Sequence, residues 1–154
     1  MAFKYDLASM ESKVQMPEGW VGFDLDGTIA QYTTFQGWDK IGPPVPGFVN
    51  LIKKLRALGV QCKILTARAS AESRALNDIT FEQVEKVIQD WTEKYIGERL
   101  PVVTEKGAAM ICFFDDSAIQ VDKNTGNLTA GSRGLEPFEE KLIQAIKAKQ
   151  GVEQ

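Results

Sequence analysis

The chain has 154 residues, 44% of them hydrophobic and 25% charged, and its 18 basic and 21 acidic side chains give a net charge of −3. This composition is ordinary for a folded globular domain, and the charge balance gives no strong signal for nucleic-acid binding. There is no histidine, which excludes serine–histidine triads, histidine-ligated zinc and histidine general bases.

Predicted strands and helices alternate along the chain, which favours an α/β domain with a central parallel sheet, a Rossmann-like three-layer sandwich. In chain order we predict a strand at 20–23, a helix over 48–58 ending at Gly59, a strand at 60–65, a helix over 81–95 with a capping box at Thr80 and an end near Gly97, a brief strand at 100–103, a strand at 109–114, a further strand at 118–121 with a turn at 124–126, and a helix from Pro137. No repeat or linker interrupts this order, so we expect one domain over residues 1–154.

The location of the protein is predicted from its cysteines, its apolar runs and its first residues. Cys62 and Cys112 each lie in an apolar run and form no Cys-x-x-Cys pair, so we expect reduced, buried thiols. The longest apolar run, residues 108–114, is far shorter than the roughly 20 residues of a membrane-spanning helix. The start of the chain does not resemble a secretory signal. We therefore expect a cytoplasmic protein without a membrane partner, and leave its oligomeric state open.

Acidic and hydroxyl side chains gather where predicted strands end: Asp24 and Asp26 after the first, Thr66 after the second, and Asp115 with Asp116 after the strand at 109–114. Parallel strands all end at one edge of the sheet, which is where open α/β folds bind ligands. Carboxylates crowded there repel one another unless a cation lies among them, and oxygen ligands favour Mg²⁺.

Residues 24–28 are also compatible with an ordinary turn, because Asp and Gly are favoured in turns. A calcium-binding EF-hand loop, in contrast, is excluded. Such a loop needs Gly and Glu at its sixth and twelfth positions, and counting from Asp24 these positions hold Ile29 and Phe35.

The order of these residues resembles the four motifs of the haloacid dehalogenase (HAD) superfamily across residues 20–121. The matching positions are Asp24-x-Asp26-Gly27-Thr28, Thr66, Lys106 and Asp115-Asp116. The resemblance implies a HAD-like fold with a minimal cap or none, because residues 29–46 are too few for an inserted domain and residues 69–100 hold mainly one predicted helix.

The resemblance also implies the catalytic roles. Asp24 would be the nucleophile that attacks phosphorus, and Asp26 would protonate the leaving group and then activate water. Thr66 would donate a hydrogen bond to a phosphoryl oxygen. Lys106 would neutralise the phosphate charge, with Lys94 as the alternative.

By the same resemblance, Mg²⁺ would be held by the Asp24 carboxylate, the backbone carbonyl of Asp26 and one acid of the last motif. We favour Asp116 as that direct ligand and place Asp115 behind it, although the reverse assignment stays open.

Four residues in or next to these motifs are predicted to contact the substrate: Gly27, Thr28, Ala67 and Arg68. Gly27 would let backbone N–H groups approach the phosphate. For Arg68, a place on an exposed helix surface is an equal alternative.

A small flap beside the site is predicted from the aromatic side chains of residues 31–41: Tyr32, Phe35 and Trp38. Trp38 would either stack on a substrate ring or anchor the flap in the core.

The implied function is Mg²⁺-dependent phosphomonoester hydrolysis through an aspartyl-phosphate on Asp24. An open site suits a nucleotide or polynucleotide phosphate, as in the capless phosphatase half of polynucleotide kinases and in small phage and bacterial members that the chain also resembles. The main alternative is a catalytically idle phosphate-binding or assembly protein on the same fold. A signalling receiver domain is disfavoured, because receivers carry their acidic pair after the first strand and the phosphorylated Asp after the third.

Overall fold

The computed structural model describes residues 18–129, 143–148 and 151. These residues belong to two compact units, one containing 18–116 and the other containing the rest of the described chain. No helix in this part of the chain is long and apolar enough to cross a membrane.

The first unit contains a sheet of four parallel strands in the order β3-β2-β1-β4. Its elements are β1 (Trp20–Phe23), α1 (Pro46–Ala57), β2 (Gln61–Leu65), a 3₁₀ turn (Ala67–Ala69), α2 (Ala71–Asn77), α3 (Phe81–Ile96), β3 (Val102–Val103) and β4 (Met110–Phe114). The predicted α/β class and the central parallel sheet are therefore confirmed.

Helix α2 and the 3₁₀ turn before it were not predicted, whereas each of the other elements of this unit lies within two residues of its predicted ends. The helix begins at Ser70, whose hydroxyl accepts a hydrogen bond of 3.1 Å from the backbone of Ser73, and ends at Asp78 with φ of 51°. None of its residues is buried, so it has no apolar stripe from which periodicity could have identified it.

Helix α3 confirms the predicted capping box. The Thr80 N–H donates to the Gln83 side chain at 2.8 Å, and the Gln83 N–H donates to the Thr80 hydroxyl at 3.2 Å. The helix ends at Gly97, whose φ of 99° is the left-handed conformation that glycine adopts readily. Its inner face buries Val84 and Ile88.

Strand β1 lies between β2 and β4, and all four of its residues are buried. Phe23 pairs with Ile64 of β2 and with Phe114 of β4. The pairing with β4 shifts by one residue after Trp20, so that Ile111 is an extra residue in β4. This shift sets which residues lie level with each other where the strands end.

Two stacked rings lie directly below the ends of β1 and β4. The ring centroids of Phe23 and Phe114 are 5.0 Å apart with planes at 11°, and Phe48 of α1 packs edge-on against Phe114 at 5.7 Å. Full burial of a side chain such as Phe23 stabilises the fold by about 1.5–3 kcal/mol. The strand ends are therefore supported by well-packed core.

Both cysteines lie on the strands that flank β1; Cys62 is buried as predicted, whereas Cys112 is only half-buried. Val21 pairs with Cys62 on one side and with Cys112 on the other, and neither thiol forms a disulfide. Burial raises the pKa of the Cys62 thiol to about 11.

In the second unit, the predicted strand at 118–121 is present only as an isolated antiparallel bridge between Val121 and Leu128. The predicted turn is present, with φ of 66° at Asn124 and 74° at Gly126. Residues 143–148 are helical, whereas the predicted start of that helix at Pro137 lies outside the described residues. The prediction of one domain over residues 1–154 stays a prediction.

Candidate functional site

The sheet register brings the acidic residues after β1 and β4 together. Because Phe23 pairs with Phe114, the next residues, Asp24 and Asp115, lie side by side, and the Asp24 N–H donates to the Phe114 carbonyl at 2.9 Å. Carboxylate oxygens of Asp24, Asp115 and Asp116 all lie within 4.8 Å of one another. We call these three residues the acidic cluster.

A tight turn follows Asp24. The Leu25 carbonyl accepts hydrogen bonds from the N–H groups of Thr28 and Ala30, and the Gly27 N–H donates to the Ala30 carbonyl. Gly27 has φ of +87°, and a Cβ at this position would lie 2.6 Å from Oδ2 of Asp116. Glycine is therefore needed here, and the N–H groups of Gly27 and Thr28 both donate within the turn.

The Thr28 side chain is bonded to the acidic cluster, and its predicted contact with substrate stays a prediction. The buried hydroxyl of Thr28 donates to Oδ1 of Asp116 at 3.1 Å, and it accepts from the Asp116 N–H at 3.1 Å. It also lies 3.5 Å from Oδ2 of Asp24. Thr28 therefore fixes the orientation of the Asp116 carboxylate.

The electrostatics of the cluster are those of crowded carboxylates. Burial, a hydrogen bond with Asp116, and the negative charges of Asp115 and Asp116 raise the pKa of Asp24 to about 7. A nearby cation favours the ionised form of such a group.

The donor set of the cluster fits a hard divalent cation. All three side chains offer only carboxylate oxygens, two of them half-buried and one exposed, which suits Mg²⁺ better than a metal that prefers nitrogen or sulfur ligands. Asp24 with Asp116 or Asp115 would hold it. The side chain of Asp26 is not part of the cluster.

Asp26 instead forms a two-bonded ion pair with Arg68. Its Oδ2 accepts from Nε of Arg68 at 2.9 Å and its Oδ1 accepts from Nη2 at 2.7 Å. The Arg68 side chain is only 4% exposed and that of Asp26 is 19% exposed. Arg68 is therefore not on an exposed helix surface, which was one of the two alternatives for it, and its contact with substrate stays a prediction.

Arg68 also holds the segment 31–43, which we call the flap. Its Nη1 donates to the carbonyls of Gly37 at 3.0 Å and Trp38 at 2.9 Å. The guanidinium carbon lies 5.9 Å from the ring centroid of Phe35. One arginine thus joins the flap to the carboxylate of Asp26.

Thr66, a residue of the predicted site, lies directly after β2 and is buried. Its hydroxyl accepts from the Arg68 N–H at 3.1 Å, which begins the 3₁₀ turn. Because this bond uses an oxygen lone pair, the hydroxyl keeps its own proton to donate. Ala67, the next residue, is exposed at the start of the turn.

The structure does not bring the predicted lysines to the cluster. Lys106 is exposed in the loop between β3 and β4, next to Gly107, where a Cβ would lie 3.4 Å from the Trp20 indole at the start of β1. Asp24 follows the opposite end of that strand. The alternative, Lys94, is exposed on α3 with its Nζ 5.0 Å from the ring of Tyr95.

The flap presents exposed aromatic and polar side chains. Tyr32 is 47% exposed and Phe35 is 51% exposed, whereas Trp38 is half-buried. A cleft of about 230 Å³ lies within the flap, lined in part by Tyr32, Thr33 and Lys40.

Sequence reasoning missed the two contacts that organise this site, Thr28 with Asp116 and Arg68 with Asp26. They join residues 88 and 42 positions apart, respectively. Local periodicity carries no signal for such contacts, although the position of Arg68 two residues after Thr66 identified it as a site residue.

No protein-family model matches the chain, and neither a curated protein nor a solved structure matches it significantly. The function must therefore be inferred from the residues themselves.

Proposed function

We propose that this chain is a phosphatase of the HAD superfamily, a Mg²⁺-dependent phosphomonoester hydrolase that works through an aspartyl-phosphate on Asp24. The proposal includes the finer description of its fold as a HAD-like three-layer sandwich with little or no cap.

The observation that carries the proposal is the acidic cluster at the carboxyl ends of neighbouring parallel strands. Asp24, Asp115 and Asp116 have oxygens within 4.8 Å of one another, and Asp26 follows Asp24 by two residues. A nucleophile, a separate carboxylate for proton transfer and a set of oxygen ligands are the groups that this chemistry needs.

The proposed reaction has two steps. An oxygen of Asp24 attacks phosphorus and forms a new P–O bond while the ester P–O bond breaks, and the leaving oxygen takes a proton from Asp26. Water then attacks the phosphoryl group on Asp24 and gives a proton to Asp26. The bond to Asp24 breaks, so that inorganic phosphate leaves and both side chains return to their starting forms.

The protein groups around Asp24 prepare it for this role. Mg²⁺ bound at the cluster would offset the negative charges of the carboxylates and of the phosphoryl oxygens. Thr28 holds Asp116 in place through its two 3.1 Å hydrogen bonds. The Thr66 hydroxyl retains a proton with which to bind a phosphoryl oxygen.

For the substrate we propose a phosphate ester of a nucleotide or of a polynucleotide end. The exposed rings of Tyr32 and Phe35 offer surfaces on which a base could stack, and base stacking on aromatic rings is tolerant of sequence. A screen of nucleotides, sugar phosphates and 3′-phosphorylated oligonucleotides tests this choice.

The first experiment measures hydrolysis of p-nitrophenyl phosphate with Mg²⁺ and with EDTA. We expect activity only with Mg²⁺, and a loss of at least about 1,000-fold in Asp24→Asn. Mass spectrometry of acid-quenched reactions should find a phosphoryl group on the peptide containing Asp24. The matched control is Asp78→Asn, an exposed aspartate at the end of α2, which should retain full activity.

One observation favours the second candidate, a catalytically idle phosphate-binding or assembly protein. The lysine expected to neutralise the phosphate, Lys106, lies in the loop beside Trp20 and away from the cluster. If no ester in a broad panel is hydrolysed while phosphate still binds in a manner that depends on Asp24, this second function replaces the first.

A further inference from the structure

The buried guanidinium of Arg68 is the centre of a hydrogen-bond network that the proposed reaction does not yet use. It donates four hydrogen bonds, two to the carboxylate of Asp26 and two to flap carbonyls, at distances of 2.7–3.0 Å. A guanidinium has five N–H donors, so only one remains. A residue so fully bonded is poorly placed to be a primary ligand of the phosphate.

The base of this side chain is fixed as well as its end. The backbone N–H of Arg68 donates to the buried hydroxyl of Thr66, so the side chain begins at a fixed point directly after β2. Arg68 therefore connects the end of β2, the turn after β1 and the flap.

The two ends of the flap, residues 31 and 42–43, are also held by hydrogen bonds; we call them the flap neck. The flap is thus attached both at its neck and at its contact with Arg68. The Gln31 N–H donates to the Pro43 carbonyl at 2.8 Å, and the Trp91 indole of α3 donates to the Gly42 carbonyl at 2.9 Å. Arg68 holds the opposite part of the loop at Gly37 and Trp38.

We infer that Arg68 is a positioning residue, which orients the carboxyl group of Asp26 for proton transfer and fixes the flap relative to it. This inference rests on the proposed phosphatase function and deepens it. The planar fork of arginine fixes both oxygens of a carboxylate at once, whereas the ammonium of lysine acts as a point charge and cannot.

The Arg68 fork does not occupy the whole carboxyl group of Asp26. Each carboxylate oxygen has two lone pairs, and the Arg68 fork uses one on each oxygen. A proton on a remaining lone pair of Asp26 passes to the leaving oxygen as the ester P–O bond breaks, and the attacking water returns a proton in the second step.

The test compares esters whose leaving groups need a proton with those that do not. Nitrophenolate leaves as a stable anion, whereas the alkoxide from a glycerol phosphate needs a proton. We expect Arg68→Met to lower kcat by about 100-fold on the glycerol phosphate and by less than about 10-fold on p-nitrophenyl phosphate, with KM little changed. Arg68→Lys should fall between wild type and Arg68→Met.

The matched control is Arg56→Met. Arg56 makes the same kind of two-bonded pair with Glu98 and also donates to a backbone carbonyl, that of Val60. It is bonded to no residue of the acidic cluster, so its loss should leave both activities unchanged. Equal losses on the two esters in Arg68→Met, or a loss confined to KM, overturn the inference.

A double-variant comparison tests whether Arg68 acts through Asp26. In an Asp26→Asn protein, adding Arg68→Met should lower activity on the glycerol phosphate by less than about twofold, because the group that Arg68 orients has already been removed. If the double variant instead loses activity by the product of the two single-variant losses, the two residues act independently and the inference is overturned.

Hydrogen exchange gives a readout that does not depend on activity. Arg68→Met should speed amide exchange within residues 31–43, whereas Arg56→Met should not, and unchanged exchange in Arg68→Met contradicts the role in the flap. A wild-type protein that hydrolyses no ester overturns the proposed function and the catalytic part of this inference together. An active wild type with equal losses overturns the inference alone.

Discussion

Two arginine–carboxylate pairs have nearly the same bond geometry but lie in different surroundings. Arg68 binds both oxygens of Asp26 at 2.7 and 2.9 Å, and Arg56 binds both oxygens of Glu98 at 2.8 and 3.2 Å. The side chains of the first pair are 4% and 19% exposed, and those of the second are 32% and 45% exposed.

The difference in exposure decides what each pair contributes. Water screens the pair of Arg56 and Glu98, and such surface pairs stabilise proteins by about 0–1 kcal/mol. The pair of Arg68 and Asp26 is largely shielded, so losing one partner leaves a charge without compensation. The pair of Arg68 and Asp26 contacts the flap, whereas the other pair lies beside Val60, just before β2.

The largest expected effect on stability is at the flap neck. A Cβ on Gly42 would lie 2.0 Å from the Gln31 carbonyl oxygen, and backbone cannot move aside cheaply. We expect Gly42→Ala to lower the free energy of unfolding by about 3 kcal/mol. Gly47→Ala is the control, because a Cβ there meets nothing within 4 Å and alanine favours the helix. Urea unfolding of both variants measures this, and equal stabilities would contradict it.

The two ion pairs can be compared directly by removing each arginine. We expect Arg68→Met to lower the free energy of unfolding by about 2–3 kcal/mol, because it leaves the partly shielded Asp26 carboxylate unpaired. Arg56→Met should lower it by about 0–1 kcal/mol. Unfolding in denaturant measures both losses, provided that the dependence of the free energy of unfolding on denaturant concentration is unchanged. Similar losses in the two variants would show that exposure does not separate the pairs.

A smaller effect is expected on Mg²⁺ binding at the acidic cluster when Gly27 is replaced by alanine. The control is the same replacement at Gly59, a glycine beside the pair of Arg56 and Glu98. Gly27 and Gly59 have φ of 87° and 81°, so alanine at either position is strained by about 1–2 kcal/mol. Only at Gly27 does a Cβ meet another residue, the carboxylate of Asp116. We expect Gly27→Ala to weaken Mg²⁺ binding by about 10-fold or more in calorimetric titration, and Gly59→Ala to leave it unchanged. Equal affinities would exclude Asp116 as a ligand.

The smallest effect concerns Cys62, near the Arg56 pair. Burial raises the pKa of this thiol to about 11, while the positive charge of Arg56 acts in the opposite direction. At pH 8 its alkylation should be about two orders of magnitude slower than that of an ordinary cysteine, and should speed up as pH rises towards 11. Arg56→Met should slow it further, with Arg99→Met as the control. Faster alkylation in Arg56→Met would indicate that the region opens when the pair is lost.

The sequence was sufficient to predict the sheet and the convergence of the acidic residues. The buried strands β1, β2 and β4 are short apolar runs, and parallel strands must end at one edge, so the amino-acid order alone places Asp24, Asp115 and Asp116 together. The capping box of α3 was predicted because Thr80 and Gln83 are close in the chain and their bonding is local.

What could not be predicted depends on side-chain direction or on contacts between distant residues. The spacing of Asp26 and Arg68 does not reveal that their side chains meet, and the order of motifs placed Lys106 in the site although its loop lies beside Trp20. Helix α2 lacks a buried face, so no periodic pattern marked it. The shift in pairing at Trp20 likewise has no local signature.

That shift has a consequence for how this chain tolerates changes in length. If Ile111 were paired with Val21 in a regular ladder, Phe23 would lie level with Phe113, and Asp24 would lie beside Phe114 rather than beside Asp115. Loss of the Ile111 codon would thus remove only the unpaired residue, and Phe23 would stay level with Phe114 and Asp24 beside Asp115. A variant that lacks this residue is therefore expected to keep both the strand pairing and the carboxylate grouping, so that the site tolerates a one-residue shortening of β4.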